Sequence, residues 1–173
     1  MRCCFTGHRR LSSEEIRVIQ YEILSAVEPL VDENRDCQFL IGGALGFDTI
    51  AAETVLFFRD VYPQVRLTLV LPCHNQTKGW LPKDIFRYND ILKRADEVIY
   101  TSKEYYKGCM LRRDRYLVEH SDICIAFLRQ NAQTGGTGYT VNYCLEKGIP
   151  VINIAQHCII FSNRRLEEGT PSS

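Results

Sequence analysis

Short apolar runs alternate with longer amphipathic stretches along most of the chain. The first amphipathic stretch carries apolar residues at spacings of three and four, the period of one helical face, and Ser12 followed by Glu15 is typical of a capping box. The apolar runs are short enough to be buried parallel strands. The pattern predicts strand Arg2–Thr6, helix Ser13–Leu30, strand Cys37–Ile41, helix Asp48–Val61, strand Val65–Leu71, helix Pro82–Ala95, strand Glu97–Tyr100, helix Cys109–His120, strand Asp122–Phe127, helix Gly138–Lys147 and strand Val151–Ile154.

This alternation of strands and helices predicts an α/β fold: a Rossmann-like three-layer sandwich with a mostly parallel sheet and helices on both faces. At 173 residues the chain has the size of one domain. We therefore expect a single domain over residues 1–161 and a polar C-terminal tail over residues 162–173. In such a sheet the ligand crevice lies beyond the carboxyl ends of the strands. Functional residues are expected in the loops at that edge.

Composition narrows the classes of function. The 21 basic and 21 acidic residues give a formal net charge of zero, so no global field attracts the chain to nucleic acid or to an anionic membrane. No apolar run approaches the ~20 residues that span a bilayer, and the N-terminal segment lacks the apolar core of a secretory signal. We expect a cytoplasmic protein without a membrane partner.

The eight cysteines form no Cys-x-x-Cys pair, which favours reduced, packed thiols over a metal site.

The loop after the second predicted strand is rich in glycine and leads directly into a helix. It contains Gly42, Gly43 and Gly46 and ends at Asp48. Glycines let the backbone approach an anion closely, and a helix N-terminus offers unpaired N–H groups. The alternative is a tight turn with close helix packing. A dehydrogenase-type site would also need an acidic residue at the end of the next strand, and residues 71–73 provide none.

A second glycine-rich loop follows the fifth predicted strand. It contains Thr134, Gly135, Gly136, Thr137 and Gly138, whose amides and hydroxyls suit the oxygens of a phosphate or a ribose. A flexible surface loop is the alternative. Because two such loops lie at one sheet edge, the sequence favours a phosphorylated ligand.

Polar and basic groups are added at the same edge by two further segments. They are Thr6, Gly7, His8 and Arg9 after the first strand, and Arg112 and Arg113 on the fourth helix. Arginine pairs bidentately with phosphate. His8 is a candidate acid or base, although a lone histidine more often packs or hydrogen-bonds. For the helix arginines, a solvated charged face is the alternative.

Together, the segments Phe5–Arg9, Gly42–Asp48, Arg112–Tyr116 and Thr134–Gly138 resemble the YpsA-like branch of the SLOG superfamily. The resemblance covers about residues 1–155. SLOG proteins are Rossmann-like and include the DNA-processing protein DprA (Smf), the LOG phosphoribohydrolases and nucleotide-sensing domains. The resemblance implies a nucleotide-derived ligand but not one reaction.

Individual residues show how far the chain matches the patterns of two subfamilies, LOG and DprA. LOG enzymes follow their glycine loop with a catalytic glutamate, whereas the matching positions here are Val141 and Asn142. DprA has an Arg-Asn-Arg helix start, and the matching asparagine position here is Asp114. An aspartate beside a DNA phosphate is unfavourable. The resemblance therefore argues against LOG chemistry and leaves single-stranded DNA binding allowed but not favoured.

We therefore predict that the chain binds a nucleotide or an ADP-ribose-like ligand as a sensor or regulator, without an obligatory cofactor. The alternative is a hydrolase of nucleotide N-glycosidic bonds that uses Asp48, Glu53 or Asp114 as its carboxylate. A further alternative is a DprA-like module for single-stranded DNA. Asp48 has the competing roles of holding a ribose hydroxyl or capping its helix, and Trp80 those of stacking on a base or packing. The sequence leaves open whether the chain forms a homo-oligomer.

Overall fold

The computed structural model describes residues 1–131, 134–155 and, for the backbone alone, 158–160. Within these residues five helices alternate with seven strands. They are β1 (Arg2–Gly7), α1 (Ser13–Glu33), β2 (Cys37–Ile41), α2 (Phe47–Val61), β3 (Val65–Leu71), α3 (Pro82–Arg94), β4 (Glu97–Tyr100), α4 (Cys109–Glu119), β5 (Ile123–Phe127), α5 (Gly136–Lys147), β6 (Val151–Asn153) and β7 (Cys158–Ile160). The predicted tail, residues 162–173, lies outside the described part of the chain.

The strands form one sheet in the order β4-β3-β2-β1-β5-β6-β7. The first six strands are parallel, and β7 pairs with β6 in the antiparallel direction. The predicted Rossmann-like α/β sandwich is thereby confirmed, and the antiparallel strand β7 was not predicted. The chain order switches sides at β1, because β2 pairs with one edge of β1 and β5 with the other. Such a switch point is where ligands bind in open α/β sheets.

Two apolar cores hold the three layers together. Because side chains alternate along a strand, Phe5 of β1 points to one face of the sheet and Cys4 to the other. Phe5 belongs to the larger core, which α1, α2 and α3 cover, and Cys4 belongs to the smaller core under α4 and α5. A fully buried Phe or Leu side chain contributes about 1.5–3 kcal/mol, so the larger core dominates the stability. No helix in the described part of the chain combines the length and apolarity needed to cross a bilayer.

The predicted capping box is present at the start of α1. The Ser12 hydroxyl accepts a hydrogen bond from the Glu15 N–H at 3.2 Å, and the Ser12 N–H donates to Glu15 Oε2 at 2.7 Å. These two bonds satisfy N–H groups that have no partner inside the helix. The helix continues past Pro29 to Glu33, three residues beyond the predicted end. Pro29 cannot donate a helical hydrogen bond because it has no N–H. So close to the helix end, the packing of the helix outweighs this loss.

Helix α5 begins at Gly136, two residues before the predicted start. Gly135 precedes it with a φ of +97°, a conformation that favours glycine. The first backbone bond of the helix runs from the Tyr139 N–H to Gly135 O at 2.9 Å. The N–H groups of residues 136–138 therefore have no acceptor within the helix. This places Gly136 and Thr137 in the first turn rather than in a loop.

The cysteines that the structure describes lie inside the protein. The seven whose side chains the structure describes are buried and free. Three of them, Cys4, Cys124 and Cys144, have sulfur atoms within 4.8 Å of one another in the smaller core. These thiols pack β1, β5 and α5 together, as apolar side chains do.

Candidate functional site

A cleft of about 290 Å³ lies at the carboxyl end of β1, between α4 and the first turn of α5. It is at the switch point of the sheet, where such folds bind ligands. The predicted site residues that line it are Thr6, Gly7, His8, Arg9, Asp48, Arg113, Asp114, Gly136 and Thr137. The structure therefore brings residues from four separate segments of the sequence to one cleft.

The first turn of α5 forms one wall of the cleft. A Cβ atom added to Gly135 or Gly136 would meet no heavy atom within 4 Å, so the space beside both glycines is open. Thr137 follows them and is buried at the cleft. A helix N-terminus carries a partial positive charge and unpaired N–H groups. This wall can accept an anion.

Arg9 lies at the rim of the cleft. Its side chain is exposed, and its one polar side-chain contact is a long approach of Nη2 to Met110 Sδ, at 3.8 Å. Among the residues that the structure describes, no carboxylate lies within 4 Å of its guanidinium. Arg9 is therefore a cation available to a ligand.

A buried cluster of Asp48, Arg113 and Asp114 forms the other side of the cleft. Arg113 Nη1 donates a hydrogen bond to Gly42 O at 2.5 Å and lies 3.7 Å from Asp48 Oδ2. Its Nε lies 2.8 Å from Asp114 Oδ1 but is not aligned for a hydrogen bond, so this buried donor has no partner among the described residues. Asp48 Oδ2 also accepts a hydrogen bond from the Ala44 N–H at 3.1 Å.

Burial shifts both carboxyls of this cluster toward their neutral forms. Loss of solvation raises the pKa of Asp48 to about 6, against the opposing effects of Arg113 and the Ala44 N–H. Burial also raises the pKa of Asp114, again against the charge of Arg113. One guanidinium cannot fully compensate two buried carboxylates. The cluster therefore holds a proton at a higher pH than an exposed aspartate would.

The first two glycines of the loop after β2 are packed from inside the protein. Gly42 lies against the Arg113 guanidinium, where a Cβ would collide with Nη1. Gly43, with a φ of +63°, lies against Leu71, and Gln76 Nε2 donates to its carbonyl oxygen at 3.0 Å. Neither glycine lines the cleft. Contacts with internal side chains therefore explain why both positions are glycine.

The third glycine of that loop, Gly46, connects it to the loop after β1. A Cβ at Gly46, where φ is +76°, would meet the backbone carbonyl groups of His8 and Arg9. The Phe47 N–H donates to His8 O at 3.1 Å. Phe47 in turn packs its ring onto Gly7, where a Cβ would collide with it. These contacts hold the Gly7–Arg9 segment in place at the mouth of the cleft.

His8 has a defined hydrogen-bonding role. Its Nε2 accepts a hydrogen bond from the Arg129 N–H at 3.3 Å, and its ring lies edge-on to Phe127. Burial lowers the pKa of His8, and the positive charge of Arg129 lowers it further. Arg129 itself is held by Glu15 at 2.6 Å. The neutral imidazole thus connects the end of β1 to the loop after β5.

The sequence match to a family covers this whole arrangement. The sequence model of the YpsA family, described as the YspA SLOG family, matches residues 4–149. The chain belongs to this family. The match includes all residues that line the cleft.

Three proteins similar to this SLOG-family chain come from bacteria. The SPbeta prophage-derived protein YoqJ of Bacillus subtilis (strain 168), described as uncharacterized, is 25% identical over 134 residues, which are 70% of this chain and 77% of YoqJ. A UPF0398 protein of Halalkalibacterium halodurans is 33% identical over 108 residues, 61% of this chain and 54% of that protein. A UPF0398 protein of Bacillus thuringiensis (strain Al Hakam) is 29% identical over 126 residues, 72% of this chain and 67% of that protein. The alignment thus spans about half to three quarters of these relatives.

A solved structure supports the fold assignment. The X-ray structure of TM1055, a structural genomics target, superposes with a TM-score of 0.56 and covers 87% of this chain and 72% of that one. The two sequences are 14% identical. The similarity therefore concerns the fold.

Besides the three glycines of the loop after β2, four of the predicted binding residues do not line the cleft of this SLOG-family chain: Arg112, Thr134, Gly135 and Gly138. Arg112 is exposed and faces a groove on the opposite side of α4. Thr134 is exposed, whereas Gly138 is buried in the first turn of α5. Neither Thr134 nor Gly138 lines the cleft. These residues were predicted to bind because they are adjacent in sequence to others that line the cleft. For Arg112 and Gly138, which lie in helices, adjacent residues face different sides.

Glu53 and Trp80 also lie away from the cleft. Glu53 on α2 forms a two-point ion pair with Arg87 on α3, with distances of 2.9 and 2.7 Å. The indole of Trp80 packs edge-on against Tyr88, with 5.5 Å between ring centroids. The structure thus places Glu53 in an interhelix ion pair and Trp80 against the larger core.

Several residues that line the cleft were not recognised as site residues in the sequence. They are the apolar side chains Phe5, Ala44, Met110, Leu111 and Leu117. The spacing of Leu111 and Leu117 indicates only that both lie on one helix. Nothing in the sequence relates them to β1, because that contact depends on how α4 packs.

Proposed function

We propose that this SLOG-family protein binds a phosphorylated, nucleotide-type ligand as a sensor or regulator, with a phosphate in the cleft between α4 and α5. The observation that carries the proposal is the open first turn of α5, where Gly136 and Thr137 line the cleft. Phosphates bind at helix N-termini because unpaired N–H groups and the helix dipole both favour an anion. The glycines allow the anion to approach the backbone closely.

Side chains from β1 add to this anion site. Arg9 is a cation without an internal carboxylate partner, and a phosphate offers it two oxygens in the geometry that guanidinium prefers. Thr6 lines the same cleft, and its hydroxyl is a further potential donor. Since the net charge of the chain is zero, this local positive charge is what would select an anion.

Mass spectrometry and thermal shift test the proposal. Small molecules released from natively purified protein are identified by mass, and ribose 5-phosphate, AMP and ADP-ribose are compared for their effect on the melting temperature. A ligand that binds only the folded state raises the melting temperature as its concentration exceeds the Kd. We expect stabilisation by at least one of the three compounds.

A matched pair of variants locates the binding. Arg9→Gln should abolish most of the stabilisation, whereas Arg10→Gln, at an exposed neighbour outside the cleft, should retain it. Loss of a charge-assisted bond to phosphate weakens binding by about 1.5–3 kcal/mol. If no phosphorylated compound stabilises the protein, or if the two variants respond equally, the proposed site is wrong.

The alternative function, N-glycosidic hydrolysis, is favoured by one observation. Asp48 and Asp114 both line the cleft, and burial raises the pKa of each. The Asp48 carboxyl, whose pKa is about 6, is partly protonated near that pH, which meets a requirement of general acid catalysis. The test is release of free base from nucleoside 5′-monophosphates at high protein concentration. Release that Asp114→Asn abolishes would establish a hydrolase, and no release would exclude it for these substrates.

A further inference from the structure

A groove of about 720 Å³ runs along the side of α4 that faces away from the cleft. Its helical wall is formed by Arg112, Arg115 and Glu119, which lie on one face of α4 because they are spaced by three and four residues. Tyr100, at the carboxyl end of β4, forms part of the opposite wall. Leu111 lines both the groove and the cleft.

The groove presents aromatic rings that are held in position. Tyr100 stacks on His74 and Tyr116 stacks on His120, in each case with 3.8 Å between ring centroids. Tyr106 completes the aromatic lining and is 43% exposed. Exposed aromatic surface grouped in a recess is typical of a binding site for a planar, partly apolar group.

The charged side chains of the groove differ in whether they have a hydrogen-bonding partner. Arg115 Nε donates to Tyr139 Oη at 2.6 Å, and Glu119 accepts a hydrogen bond from the Tyr143 hydroxyl at 2.5 Å. Arg112 is exposed, and no described residue forms an ion pair or a side-chain hydrogen bond with it. The groove therefore combines aromatic surface with one available guanidinium. Nucleobases bind to this combination, by stacking on tyrosine and on arginine.

The sizes of the two recesses indicate how they work together. The cleft, at about 290 Å³, is just below the range of roughly 300–1,000 Å³ in which whole small ligands bind. The groove, at about 720 Å³, exceeds what a planar base alone needs. Leu111, near the start of α4, lines both recesses, so the two adjoin there.

We propose that the groove formed by Tyr100, Tyr106, Leu111 and Arg112 is a base subsite, which takes the nucleobase of a small ligand whose phosphate lies in the cleft. This inference rests on the proposed function, because the cleft supplies the phosphate site. Tyr106 contributes the ring on which the base stacks, and Arg112 provides a hydrogen-bonding and stacking partner.

Isothermal titration calorimetry with two kinds of probe tests the subsite. AMP, GMP, CMP and UMP carry a base, and ribose 5-phosphate carries the same sugar phosphate without one. At least one of the four nucleotides should bind the native protein more tightly than ribose 5-phosphate does. Tyr106→Ala should lower the affinity for that nucleotide by about fivefold or more, the loss expected when a base loses its stacking partner. The affinity for ribose 5-phosphate should not change.

Two further variants serve as controls. Tyr105→Ala removes the neighbouring ring, which is 62% exposed and does not line the groove, and it should change neither affinity. Tyr106→Phe keeps the ring and should retain nucleotide affinity. Because Tyr106 is exposed, neither variant is expected to unfold the protein, which circular dichroism checks.

The outcomes separate this inference from the proposed function. If no nucleotide, no ribose 5-phosphate and no ADP-ribose binds, the proposed function itself fails and the subsite with it. If nucleotides and ribose 5-phosphate bind equally, or if Tyr106→Ala leaves both affinities unchanged, the subsite is wrong while the phosphate site stands. Binding of a dT12 oligonucleotide, but of no nucleotide, with an affinity that falls steeply with salt, would replace the small ligand by single-stranded DNA.

Discussion

The guanidinium of Arg113 fills the space beside Gly42 and donates a hydrogen bond to its carbonyl oxygen. Gly42 belongs to the loop after β2, and Arg113 belongs to α4, 71 residues further along the chain. The absence of a side chain at residue 42 therefore makes room for an internal arginine. This contact also fixes the α4 turn that carries Asp114 into the cleft.

Substitution of Gly42 by alanine should destabilise the protein. The added Cβ collides with Arg113 Nη1 and forces the buried cluster apart. Overpacking of this kind costs about 1–3 kcal/mol, measured as the free energy of unfolding in urea. Gly136→Ala is the matched control, because its Cβ would enter open space, and we expect a change within about 0.5 kcal/mol. Equal effects of the two substitutions would refute the packing role of Gly42.

Removal of the Arg113 charge should be more damaging. In Arg113→Met, Asp48 and Asp114 remain buried without their cation, and breaking a buried ion pair in this way costs about 3–5 kcal/mol. Adding Asp48→Asn should recover part of the loss, because it removes one of the uncompensated charges. The comparison is Arg112→Met at the exposed neighbour, for which urea unfolding should show little change. A similar stability for both methionine variants would contradict the assignment of Arg113 to the buried cluster.

Asp48 should make the stability of the fold depend on pH. Its pKa in the folded protein is about 6, above the ordinary 3.8, so between these values the folded protein binds more protons than the unfolded chain. The stability that the protonated carboxyl contributes is complete below about pH 3.8 and is lost as the pH rises through about 6. This difference between the folded and unfolded pKa of Asp48 corresponds to about 3 kcal/mol of stability.

The variant Asp48→Asn measures this dependence, because its amide does not titrate. Its free energy of unfolding relative to that of the native protein should increase by about 3 kcal/mol from pH 4 to pH 7. Urea titrations at several pH values across this range give the difference directly. A difference that stays constant would show that Asp48 titrates alike in the folded and unfolded states.

His8 should remain neutral at pH 7. Burial and the nearby Arg129 charge lower its pKa below 6.5, and its Nε2 already accepts a hydrogen bond from the Arg129 N–H. The proton of the neutral ring is therefore on Nδ1. Two-dimensional nitrogen-15 NMR of the imidazole reports both the tautomer and the pKa. A pKa above 6.5, or a proton on Nε2, would exclude the structural role assigned here.

The fold could be predicted because its signals are local. Strand and helix positions followed from apolar periodicity, and the sheet edge that carries the cleft followed from the alternation of the elements. The antiparallel strand Cys158–Ile160 was not predicted, because no helical pattern separates it from strand Val151–Asn153 and the alternation of strands and helices therefore does not indicate it. The early start of α5 was missed because Gly136 and Thr137 have low helix propensity, although first-turn positions tolerate them.

The candidate site could be predicted only in part. Two glycine-rich loops looked alike in sequence, but Gly42 and Gly43 are filled by side chains from elsewhere in the fold, whereas Gly135 and Gly136 face open space. The distinction depends on Arg113, a residue distant in the chain whose direction the sequence does not indicate. Long-range packing of this kind decides which loop remains available to a ligand.

The most direct test of the central proposal is a titration with ribose 5-phosphate, followed by backbone amide NMR. A phosphate at the first turn of α5 should shift the amide resonances of Gly136 and Thr137, which line the cleft, and of the adjacent Gly135 most strongly. The amides of Gly42 and Gly43, enclosed by internal side chains, should move much less. Shifts centred on Gly42 and Gly43, or no saturable shifts at residues 135–137, would contradict the proposal that the cleft binds phosphate.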